Sequence, residues 1–171
     1  METDWRKAHS EHATLREIIL EHAFVADLLK HLWAHGVFDV EILRSEFDAR
    51  GYDLALSRGD VTRHIQLKAK RKSGKTRHVP ISHRLARRAA GCVIVFVVND
   101  DLRTDHYLWF GGAPADPLPS LEGFARSRHT KGDASGVKAE RRHHVQLPLS
   151  RCTALGTMDE VASALLGPLP T

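Results

Sequence analysis

GYDLALSRGDVTRHIQLKAK, residues 51 to 70, contains two segments that alternate apolar and polar residues on either side of SRGD. Period-two alternation puts successive side chains on opposite faces of a strand, and a Gly-Asp pair between two such runs suits a hairpin turn. The strands are predicted over YDLALS (52 to 57) and VTRHIQLKAK (61 to 70). Tyr52, Leu54 and Leu56 then share one face and Asp53 takes the other, while Ile65, Leu67 and Ala69 oppose Gln66 and Lys68. Directly opposed residues of an antiparallel pair lie on the same face. Both apolar rows are therefore buried together only if Asp53 stands across from His64 or Gln66, never Ile65. Asp53, Gln66 and Lys68 should converge.

Working outward, the segment from about Asp4 to His35 reads as one long helix, with a break near Ser10 and a stop at Gly36. A helical wheel gives an apolar stripe of Leu15, Ile18, Val25, Leu28, Leu29 and Leu32. Glu21 falls inside it, Glu17 lies at its edge, and His22, also within it, reads as a core histidine. A core-facing carboxylate costs ~2–5 kcal/mol unless a cation, a metal or hydrogen bonds meet it. Glu21 therefore requires a partner.

FDVEILR (38 to 44) precedes the hairpin as a further strand. After it come a loop rich in Lys, Ser and Gly (71 to 80), a short basic helix SHRLARRAA, and the apolar run CVIVFVV (92 to 98), which reads as the buried central strand. HYLWF (106 to 110) is one more strand, the stretch from 111 to about Arg142 reads as irregular, and TMDEVASALLG as a packing helix. Early strands arriving as a meander favour an α/β sandwich over a doubly wound sheet. One domain over 1–171 is expected, with its core at about 11–110 and a C-terminal extension at about 111–171.

Composition narrows the function classes. At 42% apolar and 27% charged residues the chain is of ordinary globular make-up, and no apolar run approaches the roughly 18 residues of a membrane span. The N-terminus METDWRKAHS lacks a signal-peptide core, so a cytoplasmic protein without a membrane partner is expected. Cys92 and Cys152 stand sixty residues apart and suggest neither a disulfide framework nor a metal site. His143 and His144, adjacent and so on opposite strand faces, read no better as zinc ligands. The net charge is only +4, but it is concentrated. Lys68, Lys70, Arg71, Lys72, Lys75, Arg77, Arg84, Arg87 and Arg88 follow one another with no acid between them. Arg84, Arg87 and Arg88 have the spacing of one helical side, and such a row suits a phosphate backbone. A second set, Arg126, Arg128, Lys131, Lys138, Arg141 and Arg142, could close over bound nucleic acid. DNA is the expected partner, and a homodimer is compatible with the sequence.

A helix bearing a glutamate, a hairpin with a lone aspartate followed by QxK, then a helix and a buried strand resembles the PD-(D/E)xK nuclease superfamily. IQLKAKR is most similar to the QxKR variant of Mrr-like restriction endonucleases, and the resemblance spans about residues 15 to 98. It implies a restriction-endonuclease-like αβββαβ sandwich with a mixed central sheet. It also implies a metal-dependent endonuclease that hydrolyses DNA phosphodiester bonds, in repair or in defence and restriction. On that reading Asp53, Gln66 through its side-chain oxygen, the Leu67 carbonyl and Glu21 would hold Mg2+ or Mn2+, and Lys68 would orient the attacking water. Glu21, Asp53, Gln66 and Lys68 should then surround one cavity. Two departures are plain: GYD carries no proline before Asp53, and Gln66 replaces the usual acid, removing one anionic ligand. The alternatives are a catalytically weak or inactive nuclease-fold protein that binds nucleic acid or a partner protein, and an unrelated small α/β domain.

Overall fold

The structure is a computed structural model and describes residues 4–46, 51–128 and 140–170, without the side chains of residues 140 and 141. Helix α1 (Trp5–Glu11) starts on Asp4, whose carboxylate accepts from the Lys7 amide at 3.1 Å. It gives way at His12 to α2 (Ala13–Ala34), and Gly36, at φ +68°, allows the chain to turn away. The break falls two residues beyond the expected one. The buried row of α2 is Leu20, Phe24, Leu28 and Leu32, at strict i, i+4 spacing. The expected stripe was rotated from this one: Leu15, Ile18 and Leu29 are exposed, and so is His22, which is not a core histidine. IIL at residues 18 to 20 supplies apolar side chains to two adjacent rows, and periodicity alone does not say which row meets the sheet.

The strands are β1 (Glu41–Arg44), β2 (Leu54–Arg58), β3 (Val61–Arg71), β4 (His78–Ser82), β5 (Gly91–Val98), β6 (Thr104–Gly111), β7 (Arg126–Arg128), β8 (Glu140–Pro148) and β9 (Thr153–Leu155). Six of them form the central sheet in the order β1-β2-β3-β5-β6-β9. Only β3 and β5 run parallel, so the sheet is mixed, as the resemblance implied. All eight residues of β5 are buried because both of its faces are covered. Cys92, Ile94 and Phe96 pack with α2 and with the C-terminal helix α3 (Met158–Leu166), while Val93 and Val95 pack with Val79 and Ile81 of β4 and Leu147 of β8.

Four expectations change here. The stretch taken as loop up to residue 80 ends in β4, which joins β8 and β7 in a second sheet of order β4-β8-β7. Part of the segment read as irregular before Arg142 is thus strand. The basic helix is a five-residue 3-10 helix, His83–Arg87, with Ser82 as its side-chain cap. Tyr52 packs with the Val79 and Ile81 side rather than with Leu54 and Leu56, since the regular alternation begins only at Leu54.

Helix α3 is fastened at both ends. Thr157 and Glu160 form a capping box at its start. At its end Arg63 of β3, fully buried, donates from Nε to the Leu165 carbonyl at 3.0 Å and from Nη2 to those of Ala164 and Gly112, both at 2.8 Å. Its guanidinium lies 5.3 Å from the centre of the Trp109 ring. A cation on the last carbonyls of a helix also faces the negative end of its dipole.

Candidate active site and basic surface

Strand β2 pairs with β3 from Arg58↔Val61 to Leu54↔Ile65 and then stops, whereas β3 continues to Arg71 beside β5 alone. Among the described residues no strand pairs with that outer edge of β3 beyond Ile65. Asp53 stands just before Leu54, at the end of this ladder. Asp53 is tied there by its backbone: its amide donates to Ile65 at 2.8 Å and its carbonyl accepts from Ser45 at 2.9 Å. Its Oδ2 accepts from the amide of Leu67 at 2.6 Å. The N–H and C=O of one strand residue point the same way, so the Leu67 carbonyl faces the same opening.

A cavity of about 470 Å3 lies at this edge, lined by Asp53, Leu67 and Lys68 from the hairpin, Glu17 and Glu21 from α2, and Val79 and Pro80 from β4. Glu21, half-buried at the cavity rather than in the core, pairs with Arg44, whose Nε lies 3.3 Å from Oε1. Glu17 was placed only at the edge of a stripe in the sequence. The signal that would have found it is its i, i+4 spacing to Glu21, which puts both carboxylates on one helix side.

Gln66 departs from the expected ligand set. It is 2% exposed, does not line the cavity, and accepts the Ser82 amide on its Oε1 at 2.9 Å. Its register partner is Val93, on the sheet face covered by β4 and β8, whereas the cavity opens along the strand edge. Gln66 thus ties β3 to β4, and through Ser82 to the cap of the 3-10 helix. Replacing it by Leu removes the acceptor and leaves a buried amide unpaired, an expected loss of ~1–3 kcal/mol in urea unfolding. A Gln66→Leu protein as stable as the parent would remove this tie from the account.

The basic run is less uniform than its sequence. Arg71 donates from Nε to Asp100 at 2.8 Å and Lys72 pairs with Asp105 at 2.6 Å, so acids from beyond the interval balance two of its charges. Arg84 and Arg87, three apart in a 3-10 helix, share one side, but Arg88 is its extended C-cap and leaves that row. Lys75 and Arg77 are exposed ahead of β4, and Lys70 is half-buried on β3. Arg126 and Arg128 of β7 and Arg142 of β8 are exposed, while Lys131, Lys138 and the side chain of Arg141 lie outside the described residues. His83 and His143 bring their rings to 5.3 Å. The His143 imidazole is held below the usual histidine range, first by desolvation and then by the charges of Arg84, His83, Arg142 and Arg87. Those cations therefore form one electrostatic neighbourhood across the 3-10 helix and β8.

The cysteines are free; burial pushes the Cys92 thiol up to about 12 and that of Cys152 up to about 11, so neither is a ready thiolate. No described helix is long and apolar enough to cross a membrane.

No protein-family model and no curated protein matches this sequence. Among solved structures, the chain is similar to Hjc, a Holliday junction resolvase of the archaeal hyperthermophile Archaeoglobus fulgidus, at 16% identity and a TM-score of 0.41, over 80% of this chain and 98% of that one.

Proposed function

We propose that this protein is a metal-dependent endonuclease of restriction-endonuclease-like fold that hydrolyses DNA phosphodiester bonds, in a repair or defence setting. The observation that carries the proposal is the cavity at the unpaired edge of β3, where Asp53, Glu21, the Leu67 backbone and Lys68 come together. Its anionic donors are all oxygens, and oxygen donors suit a hard divalent cation such as Mg2+ or Mn2+. Asp53 and the Leu67 carbonyl would hold the ion, with Glu21 or Glu17 completing the set from α2; Glu21 would exchange its Arg44 pair for the cation. When bound, such an ion eases deprotonation of water near neutral pH and offsets charge on the phosphate. Lys68 contributes a compact positive charge on the same wall of the cavity, where its ammonium would donate to the attacking water and to a phosphate oxygen. Arg84, Arg87 and Arg142, gathered around His143, would supply a positive field for the DNA backbone.

A second reading, a catalytically weak or inactive nuclease-fold protein that binds nucleic acid or a partner protein, is favoured by Gln66. Its neutral side chain is committed to Ser82, so β3 offers the cavity no carboxylate of its own. Incubation with linear duplex and single-stranded DNA in Mg2+ or Mn2+, with a chelated control, separates the two. Products that form only with the ion support the endonuclease, and ion-independent binding without cleavage supports the second reading.

Backbone binding has its own test. Replacing Arg84 and Arg87 together by Ala should weaken binding to unrelated duplexes about equally and flatten log K against log salt by roughly 2, at ~0.9 for each lost phosphate contact. Titrations at several salt concentrations measure it, and an unchanged slope makes these arginines a solvated face.

A further inference from the structure

The C-terminal turn of α2 carries His31 and His35 one helical turn apart, and the first turn of α3 brings Asp159 against them. His31 Nε2 lies 3.2 Å from Asp159 Oδ1, the two imidazole centres are 4.4 Å apart, and one ligand atom from each of the three residues lies within 4.8 Å of the others. We propose that His31, His35 and Asp159 form a second metal site, for a late first-row divalent ion of the zinc class, that clamps α2 to α3.

Ligand atoms around a tetrahedral zinc stand ~3.3–3.5 Å apart at the usual bond lengths of about 2.0–2.2 Å. The His31 and Asp159 pair already has that separation, and His35 has only to close a gap of the order of a side-chain rotation. His35 Nδ1 is 2.9 Å from the His31 carbonyl, which can only accept, so Nδ1 carries the proton and Nε2 presents its lone pair. A ring N–H fixed on a backbone carbonyl is the usual outer-sphere arrangement of a metal-binding histidine. The pair also sits at the end of a 22-residue helix, where the dipole favours a cation. Asp159 is 62% exposed and the His31 side chain 19%, which leaves a solvent-facing position for a water as fourth ligand.

Two imidazoles and one carboxylate differ in kind from the oxygen donors at Asp53. Softer nitrogen ligands select zinc, copper or nickel over magnesium and calcium. Ten residues separate Glu21 from His31, roughly 15 Å along the helix axis, so the two sites do not share a ligand sphere. The clamp is independent of the proposed nuclease activity and stands or falls separately.

The probe is Co2+ added to untagged, chelator-stripped full chain, followed by its visible absorption, with Zn2+ displacement read calorimetrically. Tetrahedral cobalt on nitrogen and oxygen absorbs far more strongly than six-coordinate cobalt on oxygen, so the two sites are distinguishable in one titration. The proposal expects a single equivalent of the intense species in the parent protein, retained in Asp53→Asn, which keeps an acceptor for the Leu67 amide. In His35→Ala and in Asp159→Asn, Zn2+ affinity should fall by ~100-fold or more, because loss of even an outer-sphere partner typically costs about 10–100-fold. Asp159→Asn changes only an exposed side chain and covers the case in which His35→Ala does not fold. Parent protein that gives no intense band, affinity unchanged in Asp159→Asn, or a band lost in Asp53→Asn would each overturn the site.

Discussion

Asp53→Asn is expected to reduce the proposed metal-dependent DNA cleavage by at least about 10²–10³-fold, the scale of losing one electrostatic stabiliser at a reacting centre, while the protein stays folded. Asn is the informative replacement because Asp53 has two tasks. Its carboxylate accepts the Leu67 amide at 2.6 Å, so Ala would strand a backbone donor and cost ~1–3 kcal/mol whatever the chemistry. Asn keeps an acceptor for that amide and removes only the negative charge a divalent ion needs. Lys68→Ala should lower the rate to a similar degree without the loss of ion binding expected for Asp53→Asn. Cleavage measured under single-turnover conditions, together with Mn2+ binding, separates the two effects. Full activity in Asp53→Asn would place the chemistry elsewhere.

Arg63→Ala is expected to cost about 3–5 kcal/mol of folding stability, the largest single loss outside the apolar core. Three carbonyls, those of Gly112, Ala164 and Leu165, lose a charged donor at once. All three donor bonds lie at or beside a fully buried side chain, where water does not readily replace them. Arg63→Met fills the volume of the stem but leaves the same acceptors unpaired, so it should recover only the packing share. Urea midpoints for the two variants measure that division, and Arg63→Met at parental stability would mean that the hydrogen bonds contribute nothing net.

The hairpin was legible because the parities of its two strands agreed. Apolar parity in LALS and IQLKA fixed which residues share a face, leaving Asp53 across from His64 or Gln66, and the observed pairing Leu54↔Ile65 keeps that parity. The CVIVFVV run announced its own burial for similar reasons. What the sequence left hidden depended on long-range partners. Val79 and Ile81 alternate as a strand should, but Pro80 sits between them and the partner strand β8 begins some sixty residues later. Arg71 and Lys72 read as free charge because Asp100 and Asp105 reach them only in the folded sheet. Gln66 is the sharpest case. Parity put it on the face of Lys68, and only the cover supplied by β4 distinguishes a residue that bonds the Ser82 amide from one that reaches the cavity.

Asp53 and the Leu67 carbonyl are proposed to hold a divalent ion in the cavity beside Lys68. Anomalous scattering from crystals soaked in Mn2+ tests it most directly. A peak is expected at ~2.0–2.6 Å from an Asp53 carboxylate oxygen and from the Leu67 carbonyl, with a carboxylate of α2 in or next to the coordination sphere. Manganese absent from that cavity in a protein that still cleaves DNA in Mn2+ would contradict it.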